Sequence, residues 1–259
     1  MSRATADWSL DGKVAVVTGT APGGIGETYA RALAEAGASV VCADIQASGA
    51  KAVADTLIGE GHRAVGVGVD ITDPDSTDAM AGVAVREYGG VDILVNNAAL
   101  MAQLPQIPVL DYDLETWHRA MDVNVNGALH CCRSVVDLMR ERGGGRIVNQ
   151  SSGGAYPPSS VYGITKIALV GLTTALARDL GPDHISVNAI APGMVESSAS
   201  LAMVPEGSPF RTMMEQVVVM RPAGQTTDLI GALLLLTAPA GDWITGQVLH
   251  VDGGWILRP

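Results

Sequence analysis

The sequence predicts an α/β protein built on a doubly wound, seven-stranded parallel sheet with helices on both faces. Three observations lead to this fold class: short runs of β-branched residues recur along the chain, longer helical patterns separate them, and a glycine-rich turn joins the first run to the first helix. The chain has 259 residues, of which 47% are hydrophobic, so it can bury a sizeable core. We therefore expect a single domain over residues 1–259.

Seven short runs predict buried strands, because they are rich in Val, Ile and Ala and lack the alternating polar face of a half-exposed sheet. In chain order the predicted strands are Lys13–Thr18, Ser39–Ala43, Ala64–Val69, Val91–Val95, Arg146–Gln150, Ile185–Ile190 and Gln247–Val251. Parallel strands require crossover connections, and ligands of such sheets bind beyond the carboxyl ends of the strands. We expect the chemistry of this protein to lie at that edge.

Helical patterns fill the connections between these strands. The predicted helices include Glu27–Ala36, Asp75–Tyr88, Tyr162–Leu180 and the apolar segment Leu229–Ala238, which is too short to cross a bilayer and is expected to be a core helix. An irregular segment, Met194–Met220, is expected to form a flexible lid over a substrate pocket, with an adaptable apolar character from its methionines. These methionines are Met194, Met203, Met213, Met214 and Met220.

Composition and charge argue against several classes of protein. Asp and Glu outnumber Lys and Arg by 27 to 16, and a net charge of −11 disfavours binding to nucleic acid or to an anionic membrane surface. The first residues, Met1–Leu10, lack the basic segment and apolar run of a secretory signal, so export is not expected. Cys42, Cys131 and Cys132 have neither the spacing of a zinc site nor that of a disulfide framework, so no metal is expected and a reducing, cytoplasmic location is favoured.

A glycine-rich turn, Thr18–Gly26 (TGTAPGGIG), lies between the first predicted strand and the first predicted helix. Glycine lets a backbone turn tightly and approach a pyrophosphate, which the N–H groups and the dipole of the helix start then stabilise. The context of strand, turn and helix favours a nucleotide site over a purely structural turn. The residues expected to contact the nucleotide here are Gly19, Gly24, Ile25 and Gly26.

Asp44 closes the second predicted strand, where a dinucleotide-binding fold places the acid that binds the ribose hydroxyls of the adenosine. Its carboxylate would repel a 2′-phosphate, and no Lys or Arg occurs in the glycine-rich turn or in the six residues after Asp44. NAD is therefore expected in preference to NADP. The alternative is that Asp44 only caps the following helix.

Two further strand ends contribute polar residues to the same edge. Asp70, followed by Ile71, ends the third strand and is expected near the adenine. Asn96 ends the fourth strand, close to Ala98, and is expected either to fix the backbone or to contact the cofactor. Asp and Asn after a strand are also common turn formers, so that alternative stays open.

Tyr162 and Lys166 are four residues apart in a helical run, so their side chains are expected on the same helix face. An ammonium group beside a phenol favours the phenolate and lowers the pKa of the tyrosine, which suits proton exchange with an alcohol. The pair alone is weak, because Tyr and Lys at this spacing also occur on surface helices.

Several motifs occur in a recognisable order along the chain: Thr18–Gly26, Asn96–Ala99, Asn124, Ser152, Tyr162–Lys166, Pro192–Gly193 and Val251–Gly254. Their order resembles that of the short-chain dehydrogenase/reductase family over nearly the whole chain. The resemblance implies a Rossmann-like fold, a nicotinamide cofactor, a small alcohol or ketone substrate and a homo-oligomer, either a tetramer or a dimer. Trp243 and Trp255 flank the last strand, where subunits of the family often meet.

Four residues would carry the catalysis that the resemblance implies. Tyr162 would be the acid/base, Lys166 would hold the nicotinamide ribose and lower the pKa of Tyr162, and Ser152 would hydrogen-bond the substrate oxygen. Asn124 would bend its helix and hold a water in a proton relay with Lys166. The residues that would line the nicotinamide are Pro192, Gly193, Val195 and Ser197.

The chain departs from the family pattern in the glycine-rich turn and before the tyrosine. The turn has one residue more than usual, which leaves the path of the phosphate loop open. Ser152 precedes Tyr162 by ten residues, three fewer than is common, so the loop between them must be compact. Ser151 is the alternative catalytic hydroxyl, and Tyr156 is expected to be a wall of the substrate pocket.

The expected function is the NAD-dependent interconversion of a secondary alcohol and its ketone. The methionine-rich lid favours a bulky or cyclic apolar substrate of the steroid, terpenoid or dihydrodiol type. One alternative is a 3-ketoacyl-thioester reductase, which should prefer NADPH and carry basic residues at the pocket mouth. The other is a catalytically silent, nucleotide-binding sensor.

Overall fold

The computed structural model describes residues 7–204, 207–220 and 223–257. Its main sheet has seven parallel strands with helices around it, so the predicted fold class is confirmed. The strands of this sheet are β1 (Val14–Thr18), β2 (Ser39–Asp44), β3 (Ala64–Gly68), β4 (Ile93–Asn96), β5 (Gly145–Gln150), β6 (Ile185–Pro192) and β9 (Val248–Val251). A separate two-stranded sheet consists of β7 (Val195–Glu196) and β8 (Gly224–Gln225).

The described helices lie between these strands in the chain. They are α1 (Ile25–Glu35), α2 (Ala47–Gly59), α3 (Pro74–Tyr88), α4 (Leu114–Met121), α5 (Gly127–Glu141), α6 (Val161–Leu180), α7 (Ser198–Met203), α8 (Pro209–Val217) and α9 (Ile230–Thr237). The boundaries of α3 follow from local chemistry. The Asp73 side chain accepts a hydrogen bond from the N–H of Asp75 at the start, and Gly89 adopts a left-handed φ of 84° at the end.

The strand order is β3-β2-β1-β4-β5-β6-β9, so the chain winds outward in both directions from β1. β1 pairs in parallel with β2 on one side and with β4 on the other. The crevice beyond the carboxyl ends of β1 and β4 is a topological switch point, which is where doubly wound sheets bind their ligands. The sheet therefore brings the loops after β1, β2, β4, β5 and β6 to one edge.

Both faces of the sheet are covered, because its inner strands are apolar on both sides. In β1, Ala15 and Val17 pack into one core with α1, α2 and α9. Val14 and Val16 of the same strand pack into a second core with α3, α5 and α6. The apolar segment near the end of the chain is α9, and Leu233 within it is fully buried, as the prediction of a core helix requires.

The segment Met194–Met220 is not irregular, which corrects the sequence-based expectation. It contains β7, α7 and α8. Ser197 and Ser208 cap the two helices, because their side chains accept hydrogen bonds from the backbone N–H groups of Ser200 and Arg211. These caps are the local sequence signals that a judgement based on composition overlooks.

The same segment crosses the carboxyl edge of the sheet and is attached at both ends. The N–H of Ser198 donates to the carbonyl of Gly23, in the glycine-rich turn, at 3.0 Å. The N–H of Met220 donates to the carbonyl of Gly253, after the last strand, at 2.8 Å. This position over the carboxyl edge is the one that a substrate lid requires.

One stretch, Val161–Asp183, is long and apolar enough to span a bilayer by length and composition alone. The core helix of a folded protein meets the same criterion. α6, which makes up most of this stretch, packs against β5 and β6 and buries Lys166. The stretch is therefore weak evidence for a membrane segment.

Candidate active site

The glycine-rich turn forms a cradle that side chains would fill. Gly19 has a left-handed φ of 74°, and a Cβ atom on it would lie 2.7 Å from the Cα of Ala98. A Cβ atom on Gly26 would lie 2.1 Å from the carbonyl oxygen of Gly19. α1 begins at Ile25 after Gly24, and no described side chain caps it, so its first N–H groups are open to an anion. This arrangement fits the pyrophosphate of a dinucleotide.

Asn97 holds this turn in place, although the sequence singled it out only as part of a motif. Its side-chain amide donates to the backbone carbonyls of Thr18 and Gly19, at 3.0 Å in both cases. The Thr18 hydroxyl in turn accepts from the N–H of Asn97 at 3.1 Å and from the N–H of Ala98 at 3.2 Å. The end of β4 and the glycine-rich turn are thereby fixed to each other.

The extra residue of the turn is accommodated on its outer side. The N–H of Gly24 donates to the carbonyl of Ala21 at 3.2 Å, which closes a tight turn around the left-handed Gly23. The N–H of Gly23 donates to the Glu27 carboxylate at 2.6 Å. Because the carbonyl of Gly23 accepts from Ser198, the enlarged turn contacts the start of α7.

Asp44 ends β2 and is buried. Its Oδ1 accepts a hydrogen bond at 2.9 Å from the backbone N–H of Gln46, the residue that precedes α2. This bond forms a turn ahead of the helix. The N-cap residue of α2 is Gln46 and no side-chain cap hydrogen bond is present there, so the structure does not support the alternative that Asp44 caps this helix. The Oδ2 of Asp44 makes no hydrogen bond within the described residues, and it is the oxygen that could accept from ribose hydroxyls.

Asp70 and Ile71 follow β3 at the same edge. The carboxylate of the exposed Asp70 accepts hydrogen bonds from the hydroxyl and the N–H of Thr72, at 2.7 and 2.9 Å, and these bonds hold its pKa below the ordinary value. Ile71 is buried, and a Cβ atom on Gly127 of α5 would lie 2.6 Å from its Cδ1. Asp70 thus acts as a turn former, and its contact with an adenine stays a prediction.

The side chain of Asn96 is buried and points into the protein, so its contact with a cofactor stays a prediction. Its amide donates to Asn149 Oδ1 at 2.9 Å, and the Asn149 amide donates to the Thr173 hydroxyl at 2.9 Å. Asn96 therefore fixes β4 against β5 and α6, which is the other role the sequence allowed. Ala98 remains beside the glycine-rich turn.

Tyr162, Lys166 and Ser152 meet where β5 ends and α6 begins. The Lys166 amine lies 5.5 Å from the centre of the Tyr162 ring and donates to the carbonyl of Gln150 at 2.7 Å. The Ser152 side chain is hydrogen-bonded to the Tyr162 side chain and accepts from the N–H of Gly154 at 3.1 Å. The short loop therefore brings this serine to the tyrosine.

Ser151, the alternative catalytic hydroxyl, faces the other way. It is buried, and its hydroxyl donates to the backbone carbonyl of Lys166 at 3.2 Å. Neighbouring side chains of an extended backbone point to opposite sides, so only one of the two serines can face Tyr162. In this structure it is Ser152, which the N–H of Ala155 holds through a bond of 3.1 Å to the Ser152 carbonyl.

Burial sets the acid–base properties of the tyrosine and the lysine. It raises the pKa of Tyr162 to about 12, although the hydrogen bond to Ser152 lowers it. Burial lowers the pKa of Lys166 to about 7, because the ammonium form loses its hydration. For the protein chain alone, burial therefore outweighs the hydrogen bond to Ser152, and the expected effect of Lys166 on the pKa of Tyr162 stays a prediction.

Asn124 lies in a π-helical segment, Asp122–Asn126, between α4 and α5. Asn124 is expected to disturb its helix locally, and the π-helical turns at this residue are such a disturbance. Its Oδ1 accepts from the N–H of Leu100 at 2.7 Å, and its amide donates to the Leu100 carbonyl and the Thr165 hydroxyl, both at 3.0 Å. The side chain ties the loop after β4 to α6, and the relay water stays a prediction.

Four predicted cofactor residues lie at the end of β6 or just after it, at the same edge: Pro192, Gly193, Val195 and Ser197. A Cβ atom on Gly193 would lie 2.7 Å from the Cα of Asp252, so glycine is required there. Val195 is buried, and the Ser197 hydroxyl accepts from the N–H of Ser200 at 3.2 Å. Ser197 therefore caps α7, and its contact with a cofactor stays a prediction.

Aromatic side chains form one side of the site. The Tyr156 ring centre lies 5.0 Å from that of His250, whose Nδ1 lies 3.7 Å from the Asp252 carboxylate. The Trp255 ring covers Gly153, where a Cβ atom would lie 2.5 Å from it. This position of Tyr156 is compatible with the predicted pocket wall.

The methionines of the predicted lid differ in exposure. Met214 is buried, Met194 is half-buried and Met220 is exposed. The side chains of Met203 and Met213 lie outside the described residues, so the apolar lining of the lid stays a prediction. Within the described residues, no group of three or more His, Cys, Asp or Glu side chains is arranged to hold a metal ion.

Comparison with known proteins gives matches over nearly the whole chain. A protein-family model described as Enoyl-(Acyl carrier protein) reductase matches residues 19–256. An uncharacterized oxidoreductase of Mycobacterium tuberculosis is 46% identical over 249 residues, which cover 96% of this chain and 99% of the relative.

Two solved structures have the same fold. A 7α-hydroxysteroid dehydrogenase complexed with NADH and 7-oxo glycochenodeoxycholic acid is 35% identical, with a TM-score of 0.89 over 97% of both chains. A gluconate 5-dehydrogenase from Burkholderia cenocepacia, in complex with NADP and tartrate, is 32% identical, with a TM-score of 0.90 over 98% of both chains. The human dehydrogenase/reductase SDR family member 4 is 35% identical over 248 residues, which cover 95% of this chain and 88% of the relative. Matches of this identity and extent show that the chain belongs to the short-chain dehydrogenase/reductase (SDR) family of oxidoreductases.

Proposed function

We propose that this protein interconverts a secondary alcohol and its ketone with NAD as the hydride carrier. The observation that supports this most is the meeting of Tyr162, Ser152 and Lys166 at the edge where the glycine-rich turn forms its cradle. A bound nicotinamide would supply the hydride acceptor for oxidation and the donor for reduction. The protein chain then has to move a proton and hold the substrate oxygen.

Tyr162 exchanges the proton with the substrate oxygen, and Ser152 hydrogen-bonds the same oxygen. In oxidation the phenolate accepts the hydroxyl proton as the hydride leaves the carbon, and in reduction the phenol returns it. Lys166, held by the carbonyl of Gln150, stabilises the phenolate when it is protonated. Asn124 fixes the loop after β4 against α6 and offers its backbone carbonyl to the relay water.

NAD is the proposed cofactor because a carboxylate at the end of β2 would repel a 2′-phosphate, and a second carboxylate lies at the glycine-rich turn. Asp44 ends β2, and Glu27 lies against the glycine-rich turn through its bond to Gly23. The relatives support either cofactor, since one of the two solved structures contains NADH and the other contains NADP. We assign the adenine contact to Asp70 and Ile71.

A bulky or cyclic apolar alcohol is the proposed substrate. The aromatic side chains of Tyr156 and Trp255 beside Ser152 favour contact with an apolar ring system. The related 7α-hydroxysteroid dehydrogenase, whose structure contains a steroid acid, adds support from a comparable fold.

Turnover of a panel of hydroxysteroids, cyclic terpenoid alcohols and sugar acids, with NAD+ and NADP+ in parallel, tests the proposal. We expect NAD+-dependent oxidation of cyclic alcohols, and we expect Tyr162→Phe to reduce kcat by about 10²- to 10⁴-fold while NAD+ still binds. A Tyr162→Phe variant that turns over at the wild-type rate contradicts the mechanism. Activity with NADP+ alone contradicts the cofactor assignment.

A second candidate is a 3-ketoacyl-thioester reductase. The matching family model is described as an enoyl reductase, which reduces a carbon–carbon double bond, so it supports an acyl group carried by a carrier protein but not this particular reaction. A 3-ketoacyl-thioester substrate would use the same Tyr162 and Ser152. The same panel should therefore include acetoacetyl thioesters with NADH and NADPH. A clear preference for the thioester with NADPH would replace the first candidate with this one.

A further inference from the structure

A buried hydrogen bond joins α1, the helix that starts at the glycine-rich turn, to β5, whose last residue accepts a hydrogen bond from the Lys166 amine. The Tyr29 hydroxyl donates to the side-chain oxygen of Gln150 at 2.8 Å. Tyr29 is 0% exposed and Gln150 is 5% exposed, so water does not compete for this bond. Tyr29 lies about one helical turn after Ile25, the first residue of α1.

Gln150 also contacts Lys166, through its backbone. Its backbone carbonyl accepts a hydrogen bond from the Lys166 amine at 2.7 Å. The next residue, Ser151, donates from its hydroxyl to the backbone carbonyl of Lys166 at 3.2 Å. The end of β5 therefore holds both the amine and the backbone of Lys166, and a shift of Gln150 would move the acceptor of that amine.

The surroundings of this bond are apolar. Tyr29 belongs to a hydrophobic core that also contains Val148, Ile190 and Leu233. A phenol or an amide buried in such a core is costly unless both find partners, and Phe and Met would fill the same space without that requirement. The ladder with β6, in which Gln150 pairs with Ile190, fixes the strand, and the polar pair adds a directional constraint from α1 at this end of β5.

We propose that Tyr29 and Gln150 are positioning residues for Lys166. Their hydrogen bond fixes the carbonyl that holds the lysine amine, and it ties that carbonyl to the helix that begins at the nucleotide cradle. The inference rests on the proposed function, in which Lys166 acts on Tyr162. Both residues act through Lys166.

Three variants separate this role from a general contribution to stability. Tyr29→Phe and Gln150→Met each leave one buried polar group without its partner, and both should lower thermal stability. The double variant replaces both partners with apolar groups of similar shape, so it should regain most of that stability. We expect kcat to stay about three- to tenfold below wild type in all three variants, with KM for alcohol and NAD+ within about twofold, because the carbonyl has lost its support.

The titration of Lys166, followed by the ¹³Cε chemical shift without added cofactor, gives a readout that needs no turnover. A hydrogen bond to the carbonyl favours the ammonium form, so weakening it should lower the pKa of Lys166 further. We expect a decrease of about half a unit to one unit in Tyr29→Phe and in the double variant. Burial raises the pKa of the neighbouring Tyr162 and of Tyr29, so neither titrates in this range.

Thr237→Val is the matched control. Thr237 is buried in α9, and its hydroxyl donates to the carbonyl of Leu233 at 2.8 Å, so the variant also loses one buried hydrogen bond. It should lose stability while kcat and the Lys166 titration stay at wild type. The proposal is overturned if the double variant recovers the wild-type kcat and titration together with stability, or if Tyr29→Phe changes neither. A wild-type protein that oxidises no alcohol refutes the proposed function, and the titration then decides the positioning role alone.

Discussion

Lys166 is a buried amine, and its ionisation should be visible in the stability of the protein. Its pKa is about 7 in the folded chain, against an ordinary value of 10.5. Between these values the unfolded chain binds a proton that the folded chain does not, so the free energy of unfolding rises as the pH increases from about 7. Below pH 7 the folded chain also binds the proton, so the free energy of unfolding no longer changes with pH through Lys166 and carries the full cost of burying its ammonium group.

We predict that Lys166→Met removes this rise. The free energy of unfolding of wild type relative to Lys166→Met should increase by about 2 kcal/mol between pH 7 and pH 9. Urea unfolding of both proteins at a series of pH values measures the difference, in which other titrating groups cancel. Parallel curves for the two proteins would mean that Lys166 is not desolvated in solution.

The two adjacent serines provide a second test, which asks which of their hydroxyls acts on the substrate. Ser152 is bonded to Tyr162, whereas Ser151 is bonded to the backbone of α6. We predict that Ser152→Ala lowers kcat by about 10²-fold, because a donor to the substrate oxygen is lost. Ser151→Ala should cost about 1 kcal/mol of stability, with a much smaller effect on kcat. Steady-state kinetics and urea unfolding separate the two, and a larger kcat loss in Ser151→Ala would reverse their roles.

At the scale of helices and strands, the elements with strong local signals were predictable. β1 and α6 begin within one residue of their predicted starts, because β-branched runs and a capped helical pattern mark them. α7 and α8 were missed, since Ser197 and Ser208 are capping residues inside a segment judged by composition.

The orientation of Asn96 and Asn97 could not be predicted. β4 is buried on both faces, so the sequence carries no polar alternation to show which asparagine faces the glycine-rich turn. The raised pKa of Tyr162 has a similar origin, because its burial depends on distant parts of the chain. Which of the two serines meets Tyr162 likewise depends on the path of the compact loop.

The close contact between the glycine-rich turn and α1 gives a prediction for these elements. A Cβ atom on Gly26 would collide with the carbonyl of Gly19, whereas one on Gly171 of α6 would meet nothing within 4 Å. Gly26→Ala should therefore weaken NADH binding by at least about tenfold, since the first turn of α1 must move. Gly171→Ala should instead raise stability by about 0.5–1 kcal/mol. NADH fluorescence titration and thermal unfolding measure both, and unchanged NADH binding in Gly26→Ala would refute the cradle.

At the scale of the whole molecule, the sheet order decides which groups a cofactor meets. Asp44 is brought to the switch point by β2, and the exposed Ile45 follows it. We predict that Asp44→Ala combined with Ile45→Arg shifts the ratio of kcat/KM for NAD+ to that for NADP+ by more than about tenfold towards NADP+. Parallel kinetics with both cofactors measure the ratio. An unchanged ratio would show that Asp44 does not set the cofactor preference.

The assembly and location of the protein stay predictions. Trp255 is partly buried against Gly153, whereas Trp243 is fully exposed, so Trp243 is the tryptophan available for a contact between subunits. The proposed homo-oligomer, a tetramer or a dimer, can be checked by sedimentation. The cytoplasmic location also stays a prediction.

The attachments of Ser198 to Gly23 and of Met220 to Gly253 have a consequence for access to the site. A segment that is hydrogen-bonded at both ends can move outward in its middle, but it cannot rotate as a rigid body about one end. A passage for substrate should therefore widen between the two attachments. Since Gly23 belongs to the turn that would cradle the cofactor, a displacement of that turn would also loosen the attachment of Ser198, so the turn and this segment should move together.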